Sequence, residues 1–184
     1  DRSLRHESKS VEYFFKLLDL INSRVSVTDV MDLLDFEPVR RKFGLSEPDI
    51  DRIDYWVKEA NIRWGIDEDF RRKFGVPPTY ETTWDFGIDR ILTGYAMPQN
   101  EEGYLLAEGS KSVLPFDDIE GIDALSFGKF LELFYRLKSL ITNGPYHQQI
   151  KLPLEEWSIT IQKLLDDFFD LSGDGEAEFE SVTQ

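Results

Sequence analysis

Cysteine is absent, and the 184 residues include only two histidines and two methionines. Without thiols there can be no disulfide framework, zinc–thiolate site, iron–sulfur ligation or thiol nucleophile, which suits a reducing, cytoplasmic setting. No apolar run comes near the roughly 20 residues needed to cross a bilayer, and no basic-then-apolar leader opens the chain. Positive charge is also scarce: 21 Lys and Arg stand against 36 Asp and Glu, a formal net charge of −15. Such a domain is a poor stand-alone ligand for nucleic acid, because affinity for phosphate backbones comes mainly from Lys and Arg displacing counterions.

Catalytic motifs are missing too. There is no G-x-x-x-x-G-K-[ST] loop to cradle a nucleotide and no helical H-E-x-x-H to hold zinc. His6 and His147 fall in predicted loops without a triad-like neighbourhood. No cofactor or metal is expected. The chain opens on Asp1 rather than Met, which suggests a segment cut from a longer protein.

What is present is core-forming material. Apolar residues make up 41% and aromatics 14%, and a chain of this length can bury about 70% of its unfolded surface. The pattern is helical. Val11, Phe14, Phe15, Leu18 and Ile21 recur at helical spacing, with Ser8 or Ser10 as cap. Ser26 to Asp29 reads as a capping box opening a helix through Leu34. Pro38 and Gly44 bracket a short helix, and Ser46-Glu47-Pro48-Asp49 starts one running to about Ala60. Asp67 caps a basic helix from Glu68 to Phe74, stopped by Gly75. Thr82 or Thr83 caps the next, with Trp84, Ile88, Ile91, Leu92 and Tyr95 along one side. Helices over Ala124–Thr142, through Leu125 and Phe127, and over about Leu154–Phe169 complete an all-α reading with no strand pair. Residues 1–9 read as a polar lead-in, 10–170 as a compact multi-helix domain with an irregular loop at 98–110, and 171–184 as a frayed acidic tail. A split into two helical subdomains would fall at 76–82 or 98–115.

Three constellations could carry chemistry. Asp170, Ser172, Asp174, Gly175, Glu176 and Glu178 imitate an EF-hand loop, but Ser181 stands where the bidentate Glu belongs, so a solvated acidic tail is the plainer reading. Asp117, Asp118 and Glu120 could hold a hard cation, cap the helix ahead of Ala124 or meet a partner's arginines. The basic residues Arg40, Arg41, Lys42, Arg63, Arg71, Arg72 and Lys73 could converge into a DNA or partner contact, with Trp64 as a stacking platform. Against this, Glu37, Asp67, Glu68 and Asp69 could neutralise them, and Trp56 and Trp84 read as core.

Four stretches resemble one known family. Val11, Phe14, Leu17, Leu18, Ser23, Arg24, Val30, Asp32, Leu33 and Leu34 carry the first. The second is Phe43-Gly44-Leu45 followed by residues 56–67, Trp-Val-Lys-Glu-Ala-Asn-Ile-Arg-Trp-Gly-Ile-Asp. The third is residues 83–97, with Trp84, Phe86, Gly87, Arg90, Gly94 and Tyr95. The fourth is residues 114–121, Leu-Pro-Phe-Asp-Asp-Ile-Glu-Gly, with Leu154-Glu155-Glu156-Trp157 later. Together they are similar to the middle of RecC, the gamma subunit of exodeoxyribonuclease V, the RecBCD helicase–nuclease.

The resemblance implies a segment like the helical 2B domain of Rep/UvrD-type helicases, in a subunit that has lost its ATPase motifs. It implies a non-catalytic scaffold or DNA-handling role in recombinational repair of double-strand breaks. Implied partners are the sister domains, the RecB-like beta and RecD-like alpha subunits, and DNA through the whole complex. Ile62, Arg63, Trp64, Gly65, Trp84, Phe86, Gly87, Arg90, Gly94 and Tyr95 would then be a structural signature. Asp85 stands where the family has a basic residue, which counts against a phosphate contact there. A direct DNA-gripping module, or a helical protein-interaction domain unrelated to DNA, are the alternatives.

Overall fold

Eight helices and one short ribbon make up the described residues of this computed structural model, which are 2–96, 106–108, 111–113, 116, 119, 121–144, 153–170 and 172, with side chains from residue 12 onward except those of 106–108, 111–113 and 122. In order they are α1 (Arg2–Asn22), α2 (Val27–Leu34), α3 (Glu37–Phe43), α4 (Glu47–Glu59), α5 (Glu68–Arg72), α6 (Trp84–Ala96), β1 (Leu106–Glu108), β2 (Lys111–Val113), α7 (Ile122–Asn143) and α8 (Leu154–Phe168). The fold is all-α. His6, as a side chain, and His147, Asp117, Asp118, Glu120, Asp174, Gly175, Glu176, Glu178 and Ser181 lie outside the described residues.

Local chemistry sets most boundaries. Ser26 Oγ accepts from Asp29 N at 3.2 Å while Asp29 Oδ2 accepts from Ser26 N at 2.9 Å, closing the capping box of α2. Pro38 lies in the first turn of α3, and Gly44 ends it at φ +64°, a left-handed conformation that glycine adopts without a Cβ clash. Asp67 Oδ1 accepts from Phe70 N at 2.7 Å, and Thr83 Oγ1 from Phe86 N at 3.1 Å. Thr83, not Thr82, is therefore the cap of α6.

Two boundaries differ from expectation. Helix α1 starts at Arg2, so residues 2–9 of the expected lead-in are helical; Leu4, Arg5, Glu7 and Lys9 are good helix formers and nothing breaks the helix before Ser8 or Ser10. Within the expected loop at 98–110, and just past it, β1 pairs antiparallel with β2, Leu106 opposite Val113 and Glu108 opposite Lys111. The sequence Gly109-Ser110 between them is a two-residue hairpin signal that a helical reading passes over.

Helix α7 is the centre of the core, packing against α1, α3 and α4. Phe127, Phe130, Phe134, Leu137 and Ile141 fall on its inner side and are buried. Trp84 lies 5.0 Å from Phe134 and 6.1 Å from Phe130, and Trp56 meets Phe127 edge-on at 5.8 Å. Leu125 is 64% exposed, contrary to the expected apolar stripe, because it shares the opposite side with Lys129, Glu132 and Arg136. Leu92 and Tyr95 of α6 likewise face solvent.

One buried carboxylate locks α4 to α7. Asp49 Oδ1 accepts from Ser126 Oγ at 2.5 Å, and Oδ2 from Ser46 N at 2.7 Å and Ser46 Oγ at 2.6 Å. Burial pushes the Asp49 pKa up, but the bonds from Ser126 and Ser46 and nearby Lys129 outweigh it and hold it at about 2, below its ordinary 3.8. A lowered carboxylate pKa adds stability above the ordinary value, lost as pH falls from 3.8 towards 2. Urea midpoints should drop over that window, and Asp49→Asn should flatten the drop; an unchanged acid profile would contradict the lock.

Candidate partner and nucleic-acid interface

Five of the expected site residues, Ile62, Arg63, Trp64, Gly65 and Trp84, belong to one crossing of three segments, residues 23–27, 61–66 and 79–85. Val27 N donates to Arg63 O at 3.0 Å and Arg63 N to Thr82 O at 2.9 Å, so the 61–66 segment lies between the other two. Gly65 N donates to Arg24 O and Val25 O, while Gly65 O accepts from Trp84 N. Trp84 Nε1 closes the crossing by donating to Val25 O at 2.8 Å. Val25 and Thr82, both β-branched, sit at φ +54° and +65°. Such residues hold that conformation only where their surroundings over-determine it.

Arg71 is the hub of the crossing. It is 3% exposed. Its Nη1 donates to Thr79 O, Thr79 Oγ1 and Glu81 O at 3.0, 2.8 and 2.9 Å, and its Nη2 to Trp64 O and Thr82 Oγ1, both at 2.9 Å. The guanidinium carbon lies 4.7 Å from the centre of the Trp64 ring. Burial lowers the Arg71 pKa, with Glu81 opposing. Gly65 is required twice here: its φ is +78°, and a Cβ would come within 3.0 Å of Arg71 Cγ. Arg71 is therefore not available as an external contact, because the side chain is buried and both Nη groups are engaged by Thr79, Glu81, Thr82 and Trp64, while Nε is buried without a partner among the described residues.

Several other signature residues also serve the fold. Ile62 is buried against α6, where a Cβ on Gly87 would fall 2.1 Å from Ile62 Cγ1; only glycine allows that approach. Arg90 Nη1 donates to Ala60 O at 2.9 Å and Glu59 O at 3.3 Å, satisfying the end of α4. Phe86 packs edge-on to Tyr80 at 5.5 Å, and Gly94 is buried while Tyr95 is exposed. Asp85 bonds Lys138 Nζ through both oxygens at 2.8 Å, joining α6 to α7; burial pushes its pKa up while Lys138 pulls it down.

The remaining basic residues divide into two neighbourhoods. On α3, half-buried Arg40 donates to Asp35 O at 2.8 Å at the end of α2, and Arg41 pairs with Glu37 at 3.2 Å and reaches Asp170 O at 3.2 Å. Lys42 is exposed. Around the crossing, Arg63, Arg72 and Lys73 are exposed, with Arg72 near Asp69 at 3.5 Å and Lys73 over the Phe70 ring. Trp64 is half-buried and meets Phe74 edge-on at 6.0 Å. Arg24, which sequence reasoning left out of the basic set, stacks over Trp64 at 5.5 Å and Phe74 at 5.8 Å. Its signals were a place in the first stretch of the family resemblance and in the short link between α1 and the Ser26 capping box.

Of the candidate calcium loop, Asp170 Oδ1 accepts from Ser172 N and Oγ at 3.0 and 2.6 Å, an ordinary aspartate turn. Among the described residues no cluster of His, Asp and Glu could hold a metal ion. None of the described helices is long and apolar enough to cross a membrane.

Comparison with known proteins supplies a family. A family model described as the fourth domain of the RecBCD enzyme subunit RecC matches residues 7–184. RecBCD enzyme subunit RecC of Escherichia coli K12 is 35% identical over 185 aligned positions, covering 100% of this chain and 16% of the relative. The subunit of Mycobacterium tuberculosis H37Rv is 35% identical over 77% of this chain and 12% of the relative, and that of Mycolicibacterium smegmatis 34% over 85% and 14%. The chain thus spans less than a fifth of the length of these relatives. With residues 62–65 and Trp84 in the crossing, Gly87 and Arg90 set against Ile62 and Ala60, and a match from residue 7 to residue 184, this chain belongs to the RecC family.

Proposed function

We propose that this chain is a non-catalytic scaffold domain of an exodeoxyribonuclease V gamma subunit, serving recombinational repair of double-strand breaks. In this reading it corresponds to a 2B-like helical domain, works in the cytoplasm, and leaves hydrolysis and cutting to RecB-like and RecD-like partners. The observation that supports it is what Arg71, expected as an external contact, and several signature residues do: Arg71 and Arg90 direct Nη donors to backbone carbonyls inside the domain, and Ile62, Gly65 and Gly87 permit close packing. Residues used this way keep a shape rather than perform a reaction.

The test uses the parent subunit co-expressed with its partners. Arg71→Met should lower the yield of assembled complex while leaving unwinding per assembled complex unchanged, and the Arg72→Ala, Lys73→Ala pair should alter neither. Full assembly of Arg71→Met with lost unwinding per complex would sink the scaffold reading. The competing reading, in which Arg63, Arg72 and Lys73 grip DNA, draws on their exposure beside Trp64.

A further inference from the structure

Arg24 combines an exposed side chain with a clamped backbone. Its carbonyl accepts from Gly65 N at 3.0 Å, and that of Val25 accepts from Trp84 Nε1 at 2.8 Å. The next residue, Val25, is β-branched, fully buried and at φ +54°. Strain of this kind clusters where surrounding structure fixes a side chain for use. The side chain fixed here lies over two rings, Trp64 and Phe74, and no described hydrogen bond or ion pair reaches its guanidinium, in a chain with 36 carboxylates.

A guanidinium held over aromatic rings and bonded to no described acceptor keeps its N–H donors for an outside partner, in the fork that takes a carboxylate bidentately. Arginine and tryptophan are also the residue types enriched at the energetic centres of protein interfaces. Exposed Arg63, Arg72 and Lys73 around the crossing add same-sign charge. Nucleic acid fits less well: a polyanionic strand meets the net charge of −15 along its whole length, whereas a single carboxylate needs only the local guanidinium. The Trp64 ring is moreover already engaged by Arg24, Arg71 and Phe74, which removes it as a platform for bases. The relatives are more than six times as long as the stretch they share with this chain, so the remainder of such a subunit is the nearest source of an acidic surface.

We propose that the shelf formed by Arg24, Trp64 and Phe74 docks a carboxylate-bearing segment from elsewhere in the parent subunit. The proposal rests on the scaffold reading and names the contact through which the scaffold would hold its neighbour.

The full-length parent subunit carrying Arg24→Lys tests it. A zero-length carbodiimide joins amines to carboxylates but leaves guanidinium groups alone. Mass spectrometry should find a cross-link from position 24 to an Asp or Glu outside this domain, absent in the wild type. Circular dichroism of the 184-residue chain carrying the same substitution should match the wild type, since the side chain is exposed. A folded variant with no cross-link at position 24, or one only to carboxylates within this chain, would overturn the proposal. So would a cross-link suppressed by adding a single-stranded oligonucleotide, which would make nucleic acid the occupant. If the unmodified subunit does not assemble with its partners, the scaffold reading fails; assembly without the cross-link removes the shelf alone.

Discussion

Replacing Arg71 with methionine is expected to destabilise the chain by about 3–5 kcal/mol, since the buried guanidinium donates several part-buried hydrogen bonds and bonds to charged groups contribute about 1.5–3 kcal/mol each. The substitution strips hydrogen bonds from Thr79 O, Glu81 O and Trp64 O, removes the cation from the Trp64 ring and releases the connector after Pro78. Methionine has similar length but no donor. Arg72→Ala, one residue away and exposed, should stay within about 0.5 kcal/mol of the parent. Urea denaturation of the two variants side by side checks this; equal stabilities would mean that Arg71 is not a hub.

Trp84→Ala is expected to cost about as much, roughly 3–5 kcal/mol, the range for truncating a buried aromatic. The indole is fully buried against Phe130 and Phe134, and its Nε1 donates to the carbonyl of strained Val25. Trp84→Phe separates the two contributions. It keeps most of the packing and should lose about 1–3 kcal/mol by leaving the Val25 carbonyl without its indole donor. If Phe at this position were as stable as Trp, the clamp on Val25 would be of no energetic consequence, and the positioning of Arg24 would lose its basis.

The two substitutions also mark how far the sequence could be read. Helix starts were legible because capping is local: Ser26 with Asp29, Ser46 with Asp49, and Asp67 with Phe70 each lie within one turn. The core stripe of α7 was legible from helical spacing, though Leu125 shows that an apolar residue at a plausible position can still face water. The destination of Arg71 was not legible. In sequence it is one of three adjacent basic residues, and what separates it from Arg72 and Lys73 is a connector ten residues onward that folds back over its guanidinium. Trp64 and Arg24 are the same case, since their stacking is created by the crossing of segments far apart in the chain. The β ribbon was missed because three-residue strands carry almost no periodicity, and Gly109-Ser110 alone had to signal it. The family resemblance read residues such as Ile62, Gly65 and Arg90 as structural, but left Arg71, whose work is also internal, among the candidate contacts.

The claim that this work is internal meets its most direct test in a titration of fluorescently labelled forked DNA with the 184-residue chain at about 50 mM and about 200 mM salt. A scaffold domain with a net charge of −15 should show no salt-sensitive binding at either concentration. Binding that weakens steeply with salt, and disappears when Arg63, Arg72 and Lys73 are replaced by alanine in a chain of unchanged stability, would contradict it.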